Sequence, residues 1–215
     1  MDNRQKARLL LADDHTLVAE ACKSLLEPEF DVVAIVTDGR ALVHAAVELR
    51  PDVLIIDIAM PLLNGLDAGE QVKHALPEAR VVYLTMNVSP EVAAEAFRRG
   101  ASGYLPKSAA ASELITAVRE VLKGKSYLSP LITKDTVDFL LRRKKSREEG
   151  QHITKRQREV LQLLAEGLSM KEVAFILKLK PGTVAFHKYR IMTTLGIKTN
   201  ADLLRYALRE HMISE

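Results

Sequence analysis

The 215-residue chain has no tryptophan, few aromatic residues and a single cysteine, Cys22. Aromatics make up 5% of residues against 47% hydrophobic, so any cores it forms must be aliphatic. A lone thiol cannot close an internal disulfide; Cys22 reads as a small buried hydrophobe, and a reducing compartment is expected. No apolar run approaches the roughly 18 residues needed to span a bilayer, and no basic stretch leads into a long apolar segment near the start. The expectation is a soluble, cytoplasmic protein without a membrane partner. Its length suits one or two domains.

Charge is nearly balanced overall and unevenly distributed. Up to Gly124, 13 Lys and Arg stand against 18 Asp and Glu, a net of −5; beyond it 18 stand against 10, a net of +8. An acidic half joined to a basic half suggests a regulatory module attached to a nucleic-acid binder. The alternative is a chance imbalance of solvated faces.

Before Gly124, short apolar runs alternate with amphipathic stretches. Arg8–Ala12, Asp31–Val36, Val53–Ile56, Val81–Leu84 and Gly103–Leu105 have the length and branching of buried strands. His15–Leu26, Gly39–Leu49, Leu66–Leu76, Pro90–Arg99 and Ala109–Leu122 have helical periodicity. Five strands alternating with five helices predict an α/β doubly wound parallel sheet, a (βα)5 unit covered on both faces.

Such sheets carry functional groups at the carboxyl ends of their strands. Asp13 and Asp14 follow the first strand, Asp57 the third, Thr85 the fourth and Lys107 the fifth. Three carboxylates brought together repel unless a cation sits among them, and hard oxygen ligands suit Mg²⁺. A lysine and a hydroxyl beside the same point neutralise and hydrogen-bond phosphoryl oxygens. Asp57 is the central carboxylate and the expected nucleophile for an acyl phosphate. Singly, each feature has a plainer explanation, since an Asp after a strand often caps a helix. Five such residues at successive strand ends, in order, form a coherent set.

Residues 6–124 closely resemble the receiver domain of response regulators. The resemblance rests on LLADDH with its acidic pair, DIAMP around the acceptor, Gly65 beyond it, then LT and GYLPK. It implies that Asp57 takes phosphate from a cognate histidine kinase or a small phosphodonor. It also implies that Asp13, Asp14, Asp57 and the backbone carbonyl of Ala59 hold Mg²⁺, and that Thr85 and Lys107 bind the phosphoryl oxygens. Tyr104 matches the family's switch aromatic, which turns inward as Thr85 moves; the plainer alternative is a half-buried tyrosine with its hydroxyl in water. Met86 departs from the small residue usual after the threonine, and a long side chain there is expected to alter phosphorylation or dephosphorylation rates.

After Gly124 the pattern changes. Ile132–Leu141 looks helical, and RRKKSREEG after it reads as a solvated linker or helix end. From Thr154 four helical stretches follow: Lys155–Glu166, Met170–Leu177, Pro181–Leu195 and Asn200–Glu210. Gly167 and Gly196 suit helix ends, Ser169 and Thr199 suit N-caps, and Pro181 suits a first turn. In the third stretch Val184, Ile191 and Leu195 share one face. The opposite face carries Gly182, Ala185, Phe186, Tyr189 and Thr193, flanked by Lys188 and Arg190. Two outward aromatics rimmed by cations fit a surface pressed into a partner, as in a helix-turn-helix whose second helix enters the major groove. An oligomerisation helix burying the same aromatics is the alternative.

Residues 151–213 are similar to the LuxR-type helix-turn-helix almost position by position, and with the receiver they look like the NarL/FixJ class of transcription regulators. The implied organisation is a receiver over 1–124, a partly helical linker over 125–150, and an all-α helix-turn-helix domain over 151–215. The resemblance places Lys171 on the DNA backbone and Ala185, Phe186 and Tyr189 at base edges of double-stranded DNA. Lys180, Thr183, Lys188 and Arg190 are candidates for phosphate contacts. Lys180 replaces a capping Ser, and Ala185 removes a guanine contact that a longer residue would make. His187 is expected to pack rather than touch phosphate.

The function expected is a two-component response regulator that is not an enzyme, with phosphorylation of Asp57 controlling sequence-specific DNA binding, and a homodimer when active. The receiver is expected to mask the recognition helix or to control dimerisation, and Leu203, Leu204, Tyr206 and Leu208 offer a dimer contact or complete the domain core. The rivals are a regulator that ignores phosphorylation, using its receiver as a dimer scaffold, and a small phosphatase acting through Asp57. A ligand-sensing regulator is disfavoured, because the phospho-site stands where a lipid-sized pocket would be.

Overall fold

The structure, a computed structural model, describes residues 6–86, 89–109, 111–132 and 153–213. In the first half β1 (Arg8–Ala12), β2 (Asp31–Val36), β3 (Val53–Asp57), β4 (Arg80–Thr85), β5 (Gly103–Pro106) and β6 (Tyr127–Leu128) form one sheet in the order β2-β1-β3-β4-β5-β6. All its pairings are parallel. The helices α1 (Thr16–Leu26), α2 (Gly39–Leu49), α3 (Gly65–Ala75), α4 (Pro90–Arg98) and α5 (Ala111–Leu122) cover its faces.

Side chains alternate across a strand, so each strand feeds two cores. Leu10, Leu54, Ile56, Val81 and Tyr83 point to one side, among residues of α2 and α3. Leu9, Leu11, Val53, Ile55 and Val82 point to the other, against α5 and Leu26 of α1. Burial on both faces explains why β3 reads as an unbroken apolar run that ends on Asp57.

Two features extend past the expected pattern. Strand β6 adds a sixth, two-residue member to the sheet, and Ile132 packs into the α2–α3 side of the core. The sheet therefore runs beyond the cut at Gly124. Too short for any periodicity, β6 left no signal. The helix expected over Ile132–Leu141 and the charged run after it lie, apart from Ile132, outside the described residues.

The second half is all-helical: α6 (Lys155–Ala165), α7 (Met170–Leu177), α8 (Pro181–Leu195) and α9 (Asn200–Arg209). Three of these are closed at the N-terminus by reciprocal capping boxes, Thr154 with Gln157, Ser169 with Glu172 and Thr199 with Asp202. Lys180 precedes α8 without a side-chain cap, as the sequence indicated. Val160, Leu163, Val173, Leu177, Val184, Ile191 and Leu203 form the separate core of this unit. Among the described residues no helix is long and apolar enough to cross a membrane.

Candidate functional site

The carboxyl ends of β1, β3, β4 and β5 converge at one edge of the sheet. Asp13 follows β1, while Asp57 closes β3; both are buried. Lys107 leaves β5 with its backbone N–H on the carbonyl of Thr85 (2.7 Å), which aims its side chain back across the strand ends. Its Nζ donates to Asp57 Oδ2 at 2.7 Å and lies 2.8–2.9 Å from the two carboxylate oxygens of Asp13. Gly65 permits the close approach of α3, because a Cβ there would lie 2.0 Å from the carbonyl oxygen of Asp57.

Burial pushes the Asp57 carboxyl above its ordinary value and the Asp13 charge adds to this, while Lys107 and the Ala59 N–H (3.4 Å from Oδ1) oppose it. Burial disfavours charge on Lys107 too, yet its hydrogen bonds to Asp13 and Asp57 outweigh that and raise it above ordinary. The ammonium is thus held charged beside a nucleophile of tuned basicity.

Asp13, Asp14, His15 and Asp57 each offer a ligand atom, and all these atoms lie within 4.8 Å of one another. Asp14 Oδ1 is buried without a hydrogen bond; His15 Nδ1 is 2.8 Å away, at ion-pair distance but without bonding geometry. An orphaned buried oxygen in a nest of carboxylates has the donor chemistry of a hard divalent cation. His15 was not singled out from the sequence, where it reads only as a helix start. Asp13 also accepts the His15 N–H (2.9 Å), so the plain capping role and the cluster coexist.

Thr85 is buried at the end of β4, and the Tyr104 hydroxyl hydrogen-bonds it. Tyr104 is wholly buried, so the inward orientation, not the half-wet one, is found here. Burial raises its phenol strongly, the bond to Thr85 opposing. Met86, next along, is 76% exposed.

On the other half, α8 turns Val184 and Ile191 inward and Ala185, Phe186, Tyr189 and Arg190 outward. Phe186 is 60% and Tyr189 68% exposed, so the receiver does not mask this face. Lys171 and Lys180 are exposed, and Thr183 and Lys188 are half-buried beside them. His187 is half-buried, its ring edge-on to Phe186 at 6.0 Å, in keeping with packing. Of the α9 residues, Leu203 is buried in the domain core, Tyr206 and Leu208 are half-buried, and Leu204 is 41% exposed.

Comparison with known proteins decides the family. The model of the response regulator receiver domain matches residues 9–119, and that of bacterial regulatory proteins, luxR family, matches residues 151–207. The chain is a NarL/FixJ-class response regulator. Its relatives include the transcriptional regulatory protein MctR of Rhizobium johnstonii, 36% identical over 219 residues covering 100% of this chain and 99% of that protein. The oxygen regulatory protein NreC of Staphylococcus haemolyticus is 33% identical over 96% of this chain and 99% of its own. Among solved structures, the RcsB response regulator of Salmonella typhimurium aligns over 97% of this chain and 100% of that one, at 26% identity and a TM-score of 0.65. RcsB of Salmonella enterica serovar Typhimurium, bound to promoter P1flhDC in the presence of the phosphomimetic BeF3−, aligns over 95% and 100% at 27% identity and a TM-score of 0.62. This response regulator is therefore a two-component transcription regulator with a receiver and a LuxR-type DNA-binding domain.

Sequence reasoning missed the join between its two units. Gln162 of α6 is fully buried, accepting from the Asn64 N–H (2.8 Å) and donating to the Met60 carbonyl (3.0 Å). Glu166 accepts from the Leu62 N–H at 3.1 and 3.3 Å. These bonds join side chains to loop backbone about 100 positions away, which no local pattern announces.

Proposed function

We propose that Asp57 is the phospho-acceptor of this response regulator and that its phosphorylation controls DNA binding through the face of α8. The observation that carries the reading is the seating of Lys107 Nζ between Asp13 and Asp57, at the edge where all five catalytic-type residues of the sequence converge. An Asp57 carboxylate oxygen forms a bond to phosphorus as the bond from phosphorus to the donor, a histidine kinase or small phosphodonor, breaks. Lys107 neutralises charge on the transferred group, and the Thr85 hydroxyl, now engaged by Tyr104, is placed to bond a phosphoryl oxygen.

Asp13, Asp14, Asp57 and the Ala59 carbonyl are the residues that would hold Mg²⁺. When bound, the ion offsets the repulsion between carboxylates and phosphoryl oxygens. Asp13 and Asp14 supply the charge that selects a cation, and Lys107 keeps the acceptor ionised beside them.

For DNA, Ala185, Phe186 and Tyr189 would face base edges, with Phe186 suited to a thymine methyl. Lys171, Lys180, Thr183, Lys188 and Arg190 would position the backbone without specifying sequence. An active homodimer reading two half-sites fits this geometry, Leu204 being the α9 side chain most exposed for a contact. The chain acts as a regulator rather than a turnover enzyme, and the cytoplasm is its place of work.

The test compares wild type with Asp57→Ala on DNA selected from random sequence, with and without beryllofluoride and Mg²⁺. Tightening that needs Asp57 supports the reading; equal binding in all conditions would move control to constitutive dimerisation.

A further inference from the structure

We propose that α6 is the output contact of the receiver, a clamp fed from both halves of the acceptor site, whose release frees the DNA-binding domain. The inference rests on the phospho-control reading above and specifies its mechanism.

The first route begins at Asp57. The loop that follows runs through Met60, Leu62 and Asn64, and Gln162 grips it at two backbone points, the Met60 carbonyl and the Asn64 N–H. Glu166 takes the Leu62 N–H between them and also accepts from Gln162 Nε2 (2.8 Å). Leu62 has φ +65°, a left-handed conformation costly for a branched side chain, and its side chain packs against the core of the DNA-binding domain. The contacts that sustain the strain thus come from the other domain. Ala59, whose carbonyl is expected on the cation, is the immediate neighbour of Met60. Occupancy of the acceptor site therefore bears on the gripped peptide.

The second route begins at Thr85. From β4 the chain enters α4, and Arg99 at its end donates to Asp67 at 2.5 Å. The other oxygen of Asp67 receives Arg158 of α6 at 3.3 Å and Asn64 Nδ2 at 2.7 Å. Both strand ends that meet the phosphoryl group are therefore tied to α6 through one buried polar cluster. Since Phe186 and Tyr189 are open, the restraint acts on the position of the domain rather than by covering its base-reading face. Two copies must set their recognition helices one or more helical turns apart, which a domain fixed to its own receiver is not free to do.

The test uses full-length protein, the selected DNA, and beryllofluoride with Mg²⁺. Small-angle scattering reports domain separation and titration reports affinity. Wild type should tighten on DNA about tenfold or more with beryllofluoride, within the usual range of coupling. Gln162→Ala with Glu166→Ala should open the domains and bind DNA tightly without beryllofluoride, nearly abolishing that gain. Gln162→Met, which keeps the volume and loses only the amide, should move the same way and guards against misfolding. Because coupling is reciprocal, both variants should bind beryllofluoride more tightly than wild type. Variants that keep the full wild-type gain, or that weaken DNA binding in both conditions, would overturn the clamp while leaving phospho-control intact. A wild type indifferent to beryllofluoride would overturn phospho-control and the clamp with it, even if the variants open.

Discussion

The two halves of this regulator arrange their working residues in opposite ways. In the receiver they are buried and already bonded to one another: Asp13, Asp57 and Lys107 form a closed set, and Thr85 is engaged by Tyr104. In the DNA-binding domain they stand outward, and Phe186 and Tyr189 spend most of their surface on water. A site that performs phosphoryl transfer gains from groups fixed in advance in a sheltered place, because they need not reorganise as charge moves. A surface that reads DNA must leave its contacts for the partner, and its apolar exposure is the cost of waiting.

Asp57→Asn tests the contrast most severely. It should abolish phosphoryl uptake from acetyl phosphate, read as the loss of the mass shift, while DNA recognition by the α8 face survives. Next in size, Ile191→Ala should destabilise the helical half by about 2–5 kcal/mol through a cavity under the recognition helix. Calorimetry should show that transition falling while the receiver keeps its own; a joint shift would mean the halves melt as one. Phe186→Ala or Tyr189→Ala should weaken binding to selected DNA by about 1–3 kcal/mol without changing phosphorylation, whereas Lys188→Ala should lower the salt slope by about 1. Met86→Ala should speed turnover of the acyl phosphate severalfold by clearing the mouth of the site; identical lifetimes would remove that role.

The smallest effect is on pH. Burial raises the Glu166 carboxyl above its ordinary 4.5, while Gln162, the Leu62 N–H and the Arg40 charge oppose. The docked state then binds a proton more readily than the open one, so docking should strengthen as pH falls from neutrality towards 4.5. Asp67 runs the other way. Burial raises it, but Arg158 and Arg99 prevail and hold it below 3.8, so its contribution is complete above that value and lost in stronger acid. Scattering across this range, with Glu166→Gln subtracted, should show the turnover; a flat difference would remove Glu166 from the balance.

The strands and the helical faces were legible because burial imposes a period, and β1, β2, α2, α7 and α8 begin and end where the pattern indicates. The acceptor set was legible for a related reason: a parallel sheet gathers its strand ends, so residues far apart in sequence become neighbours by topology. Asp57 and Thr85 proved to be the last residues of their strands rather than the first of loops. What stayed hidden depends on contacts without a period. Gln162 lies in a helix whose apolar stripe accounts for Val160, Leu161 and Leu163, and nothing local distinguishes it from a solvated residue until a loop's peptide groups are set against it. Leu62 is likewise an ordinary loop leucine until its φ is known.

The sixth strand has a bearing on assembly. Parallel to β5 and two residues long, it sits where the sheet would otherwise present the open edge of β5, and offers almost no ladder of its own. A second copy arriving at that margin finds too few backbone groups to extend the sheet. Copies that meet on this side must do so through helices, and such contacts can form and part without disturbing the strands that carry the acceptor.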